Sequence, residues 1–226
     1  MNFLKKSADN TRPDSVSNKF RRNRFRFFLE FINELPRPVR ILDLGGTYNF
    51  WEQMGYSNNT EFNITILNSE IPAGNPDSIK FIKGDARDLA LFENKEFDVV
   101  FSNSVIEHVG SYNDQKKMAD EVMRTGKKYF IQTPNYFFPF EPHFLFPFFQ
   151  FLPRKLQIFL LIHFNLGWFT RCSSPVEAQY ILDSINLLTL NDLTKFFPAC
   201  SIYREKFLFL NKSFIAYSSN YCKTYV

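Results

Sequence analysis

A chain of 226 residues has the length of one domain of ordinary to large size, with enough interior for a sheet covered on both faces. Its 29 Phe against 8 Gly bias that interior toward aromatic packing, and three widely spaced cysteines, Cys172, Cys200 and Cys222, exclude a disulfide framework or a paired-ligand zinc site. Residues 1–40 carry ten basic and four acidic side chains, +6 against a total of +4, so the remaining chain is at −2 and the basic excess belongs to the N-terminus.

The first fifteen residues are polar and read as a mobile basic arm, without the apolar stretch of a signal peptide. From about Ser17, Phe20, Phe27, Phe28, Phe31, Ile32 and Leu35 share one helical face, and Pro36 and Pro38 close the segment. A solvated helix face is the commonest use of the basic run beside them; an anionic membrane or nucleic acid would also use it. Strand signals recur at 40–44, 64–68, 79–83, 97–103 and 128–133, with helical patterns near 50–55, 86–92 and 113–125 between them. That alternation predicts a doubly wound α/β fold with a parallel sheet. The linker "SEIPAGNPDS" is too short and too broken for a crossover helix.

Residues 136–170, "YFFPFEPHFLFPFFQFLPRKLQIFLLIHFNLGWFT", have a different composition. Four prolines exclude a continuous helix through the first half, and the apolar stretch 156–169 is too short to span a bilayer. A capped helix over 189–197 follows, then two closing strands near 201–208 and 213–217.

Chemistry gathers at the strand ends: Asp43, Gly45, Gly46 and Thr47 after the first, Asn68, Ser69 and Glu70 after the second, Gly84 and Asp85 after the third, Asn103 and Ser104 after the fourth. In a doubly wound sheet these ends face the ligand crevice. The loop "LGGTYN" lacks the G-x-G-x-x-G spacing of a nicotinamide site.

"ILDLGG", "FIKGDARDL", "FDVVFSNSVIEHV" and "YFIQTPN", in that order over residues 40–135, resemble the class I S-adenosylmethionine-dependent methyltransferases of the bacterial type 11-like kind. The later "LTLNDLTKFFPACSIYREKFLFLNKSFIAY" is similar to that family's terminal helix and hairpin. The resemblance implies a Rossmann-like sheet of seven strands, the last antiparallel. It makes residues 16–226 one methyltransferase-like domain, with 136–175 as an aromatic-rich lid and acceptor-site insertion after strand five.

It also implies S-adenosyl-L-methionine as cofactor. Asp43 would then support the glycine loop and reach the cofactor's ammonium, Gly45 and Gly46 would admit its methionine portion, and Thr47 stands at the next loop position. Asn68, in place of the family's usual acid, would meet the ribose hydroxyls. Asp85 and the Ala86 N–H would meet the adenine, and Asn103 and Ser104 would line the cofactor's underside near the methyl group.

No metal is implied. Candidate bases for a hydroxyl acceptor are His108, after the fourth strand, and His143 and Glu141 in "FEPHF"; His163 reads as a packed or interfacial histidine. The expected reaction is methyl transfer, at oxygen, to a small molecule or a lipid-linked saccharide. The expected location is cytoplasmic, with peripheral contact at the inner face of the membrane, or a homodimer as the other use of the apolar surface. The alternatives are a non-catalytic membrane-associated interaction domain and, less favoured, a nucleic-acid methyltransferase. Against the latter, "SNSVIEH" stands where base methylators carry a D/N-P-P-Y/F/W motif.

Overall fold

A computed structural model describes residues 2–9, 11–71, 76 and 78–219. Its strands are β1 (Val39–Leu44), β2 (Phe62–Asn68), β3 (Lys80–Lys83), β4 (Phe97–Asn103), β5 (Gly126–Pro134), β6 (Phe140–Glu141), β7 (Phe146–Pro147), β8 (Cys200–Phe207) and β9 (Leu210–Ser218). Its helices are α1 (Asn2–Ala8), α2 (Val16–Phe31), α3 (Tyr48–Gln53), α4 (Tyr112–Thr125), α5 (Arg154–His163), α6 (Pro175–Asp183) and α7 (Leu190–Phe196). They form two compact units, Met1–Phe31 with Tyr136–Ile185, and Ile32–Asn135 with Asn186–Val226.

The second unit holds a seven-stranded sheet in the order β3-β2-β1-β4-β5-β9-β8. β1 to β5 are parallel, and β9 runs antiparallel to both neighbours. The direction of winding reverses between β1 and β4, which opens a crevice at the carboxyl ends there. Alternation along the strands sorts the core onto two faces. Leu42 and Leu44, Val100, Ile131 and Ala216 pack with Met118, Ala119 and Val122 of α4 and with Leu193 and Phe196 of α7. On the alternate positions Phe101 stacks on Phe130 at 5.7 Å and on Phe50 at 5.6 Å, with Trp51 tilted against it at 5.8 Å.

The helices start where the sequence supplies caps. Ser111 and Asp114 form a capping box on α4, and Thr189 and Asp192 form another on α7. The expected helix over 86–92 is instead a run of turns. The Asp85 and Asp88 carboxylates accept the backbone N–H groups of Arg87 and Ala90 two residues on, at 2.9 and 3.1 Å, and such local bonds compete with helix. The side chains of α4 then satisfy the segment: Arg124 donates to the carbonyls of Leu89 and Phe92, each at 2.8 Å, and Glu121 accepts from the Leu89 N–H at 2.7 Å. The linker before β3 falls largely on 72–75 and 77, outside the described residues.

In the first unit α1 and α2 precede a segment that begins with the two-stranded pair β6-β7. Phe144, Phe149, Leu161, Leu166, Cys172, Ala178 and Leu182 form its own core. The sequence reading passed over α6, although Ser174 caps it by accepting from Glu177 N at 3.1 Å and Pro175 opens it. No helix among the described residues is long and apolar enough to cross a membrane. Cys172 and Cys200 are free thiols, and burial pushes the pKa of Cys200 up to about 11; Cys222 lies outside the described residues.

Candidate functional site

At the carboxyl ends of β1 to β4 the second unit contains a cleft of about 420 Å³. Of the residues anticipated from sequence, Gly45, Asn68, Asp85, Ala86, Ser104 and His108 line it. That volume falls in the range of small-molecule and cofactor sites.

The glycine loop forms one wall. Gly45 has φ +70°, the left-handed region, and its N–H donates to the Leu67 carbonyl at 2.8 Å. A Cβ there would come within 2.6 Å of a Val105 methyl. Behind the loop, the buried Asp43 accepts from the Trp51 indole N–H at 2.8 Å, and a Cβ on Gly46 would overlap the Asp43 carboxylate. Gly46 is therefore glycine for the sake of the acid beneath it. Thr47 is the N-cap of α3, its hydroxyl accepting from Phe50 N at 3.3 Å. Asp43, Gly46, Thr47 and Asn103 shape the loop and the strand ends and stand outside the cleft lining.

Asn68 joins the ends of β1 and β2. Its amide nitrogen donates to the Gly46 carbonyl at 3.2 Å, and its oxygen accepts from Ser69 N at 2.9 Å. A carboxylate could not make the first of these bonds. Asp85 is held from one side by Arg87, whose Nη2 lies 2.6 Å from Oδ2 and whose Nε donates to Oδ1 at 2.9 Å. This pairing holds the Asp85 carboxyl below its usual range, so it stays anionic. Arg87 itself lines the cleft and was not anticipated; its spacing of two from Asp85 was the available signal.

Across the cleft Ser104 sits at φ +59°, where its N–H donates to the Gln132 carbonyl at 3.0 Å and its hydroxyl to Gln132 Oε1 at 2.8 Å. His108 ends the short 3-10 helix Ile106–His108 and is exposed to the cleft. Its neighbour Glu107, which the sequence also places after the fourth strand, is fully buried; it accepts from the Thr133 hydroxyl at 3.1 Å, and its carbonyl accepts from Asn186 N at 2.7 Å.

Glu141 and His143 belong to the first unit. Glu141 is buried, accepts from the backbone N–H groups of His143 and Phe144 at 2.7 Å each, and lies 2.7 Å from His143 Nδ1. A carboxylate so committed is an anchor for the loop. Its contact with Nδ1 fixes the orientation of the His143 imidazole and leaves Nε2 as the ring nitrogen outside that contact.

Residues 55–129 match a methyltransferase-domain family. A 69-residue stretch is 42% identical to the uncharacterized protein Rv1509 of Mycobacterium tuberculosis H37Rv and, to the same extent, to MT1557 of strain CDC 1551. It covers 30% of this chain and 23% of each relative, so the chain spans under a quarter of the length of the curated relatives it matches. Among solved structures, a SAM-dependent methyltransferase from Aquifex aeolicus is 11% identical with TM-score 0.52, over 96% of both chains. The PH0226 protein from Pyrococcus horikoshii is 16% identical with TM-score 0.52, over 91% of this chain and 92% of that one. At such identities these structures show the fold. The domain match over residues 55–129, the sheet order and the glycine loop agree with one another: this stretch is similar to a methyltransferase domain and lies in a Rossmann-like seven-stranded fold.

Proposed function

We propose that this chain binds S-adenosylmethionine in the cleft at the ends of β1 to β4 and transfers its methyl group to an oxygen of a small-molecule or lipid-linked saccharide acceptor. The observation that carries the reading is the cleft at the strand ends, where Gly45, Asn68, Asp85, Ala86 and Ser104 line one space of cofactor size and Gly45 holds a left-handed backbone that a side chain would strain. The residues fit such a group. Gly45 and Ser104 both line the cleft, Ala86 offers a backbone edge, and Asp85 keeps a half-exposed carboxylate despite Arg87. Asn68 meets the ribose as an uncharged amide that also holds the loop, while Asp43, Gly46, Thr47 and Asn103 act by shaping it. The bound cofactor supplies a methyl group already activated on a sulfonium.

The protein's part is to hold the acceptor oxygen in line, exclude water and take one proton. His108 and His143 are the two bases we assign to that proton, with Glu141 orienting His143. Residues 136–175, which leave the end of β5, supply the acceptor-site lid in this reading. Exposed Phe137, Phe159, Phe164 and Trp168 favour an amphipathic acceptor and peripheral contact with the inner face of the cytoplasmic membrane, with self-association as the other use of that surface. Arg154 contributes little charge to such contact, since it is paired with Asp183.

Incubating the protein with methyl-labelled cofactor and separate polar and lipid extracts tests the proposal. Label should appear in a saccharide-containing product as an ether that survives mild base. Transfer only to protein, nucleic acid or nitrogen would contradict it.

A further inference from the structure

The hairpin β8–β9 closes the sheet, and its turn reads Phe207, Leu208, Phe209, Leu210. These four side chains are 41%, 79%, 95% and 51% exposed. Local physics opposes this arrangement twice. Leu208 has φ +54°, a conformation that glycine or asparagine adopts with far less strain. Four consecutive apolar residues also stand in water where hairpin turns ordinarily carry polar ones.

The strands behind the tip are basic. Arg204 and Lys206 are exposed, while Glu205 between them is buried, its charge offset by Lys212 at 3.2 Å and its Oε2 accepting from the Ser213 hydroxyl at 2.7 Å. Positive charge therefore dominates just behind the apolar tip. Lys206 pairs with Asn211 one step behind the Phe207–Leu210 pair, and Leu208 and Phe209 form the turn beyond it; at a strand rise of about 3.3 Å per residue Lys206 stands about 7 Å behind the tip, within the depth to which interfacial apolar groups enter a bilayer.

We propose that this tip inserts into the interface of an anionic lipid bilayer, with Lys206 and Arg204 meeting the phosphates. A second copy of the chain is the weaker occupant. β8 is the sheet edge, and cations along an edge strand discourage pairing with another strand. The inference adds a membrane-contacting surface on the second unit to the one proposed above, and it does not depend on methyl transfer.

Flotation of the 226-residue chain with phosphatidylcholine vesicles containing about one quarter phosphatidylglycerol tests it. The wild type should float with these vesicles and not with pure phosphatidylcholine. Leu208→Ser with Phe209→Ser should weaken partition by about a hundredfold, and Arg204→Glu with Lys206→Glu by about tenfold. Leu208→Asn alone should hold or raise the thermal midpoint, which separates lost insertion from lost folding. Titration with S-adenosylmethionine should be unchanged in every variant, so its failure would count against the methyltransferase reading alone. Wild-type protein that ignores the anionic vesicles, a serine variant that floats as well as wild type, or a dimer that the serine changes dissociate would each overturn the inference.

Discussion

At the scale of single residues, the cleft is built from pairs in which one member explains the other. Gly46 is small because Asp43 lies beneath it, Gly45 because Val105 stands against it, and Asn68 is an amide because the Gly46 carbonyl needs a donor. These reasons were not legible in the sequence, where the two glycines and Asp43 pointed to a ligand loop without saying which group each accommodates. The proton step can be tested residue by residue. His108→Ala or His143→Ala should lower turnover by about a hundredfold or more, with cofactor affinity nearly unchanged, and the one that does so is the base. Glu141→Gln should lower turnover less than removal of His143, since it leaves the imidazole in place and acts through its orientation. Equal loss of cofactor affinity in both histidine variants would instead point to damage to the fold.

At the scale of elements, most strands fell where alternation and apolar runs placed them, because a strand buried on both faces is recorded in consecutive apolar residues such as Val99 to Phe101. The segment 86–92 was missed because its apolar spacing suits a helix, while the competing bonds from Asp85 and Asp88 and the support from α4 are tertiary facts. The mouth of the sheet opposite the cleft carries a charge cluster whose pH dependence follows from geometry. Asp98 on β4 accepts from Arg40 of β1, through the backbone N–H at 3.0 Å and through the guanidinium, and from Lys127 of β5 at 2.8 Å. Burial alone would raise its pKa, yet these hydrogen bonds outweigh it and hold the carboxyl at about 2. A folded-state pKa below the unfolded value contributes stability that is present above about pH 4 and is lost as pH falls toward 2. With both cations half exposed, the contribution is about 1–2 kcal/mol. Chemical denaturation of the wild type and Asp98→Asn should therefore differ near neutral pH and converge in acid. Parallel curves across that range would remove the cluster from the account of stability.

At the scale of the whole molecule, the chain interleaves two units, each with its own core, and the sequence marks the change where the sheet pattern gives way to the proline and phenylalanine-rich stretch after Asn135. The proposed cofactor site lies in the second unit, whose strand order and loop place Gly45, Asn68, Asp85 and Ser104 around one cleft although they are scattered over sixty residues of sequence. Acceptor identity is assigned here to the other, where composition records only that the surface is aromatic. The central claim is that the cleft holds S-adenosylmethionine, and calorimetric titration of the intact chain with the cofactor and with its demethylated product tests it most directly. Saturable one-to-one binding is expected for the wild type. Binding should be strongly weakened in Gly45→Val, whose side chain meets both the left-handed backbone and Val105. A folded wild-type protein that binds neither compound, or a Gly45→Val variant that binds both as tightly, would contradict it.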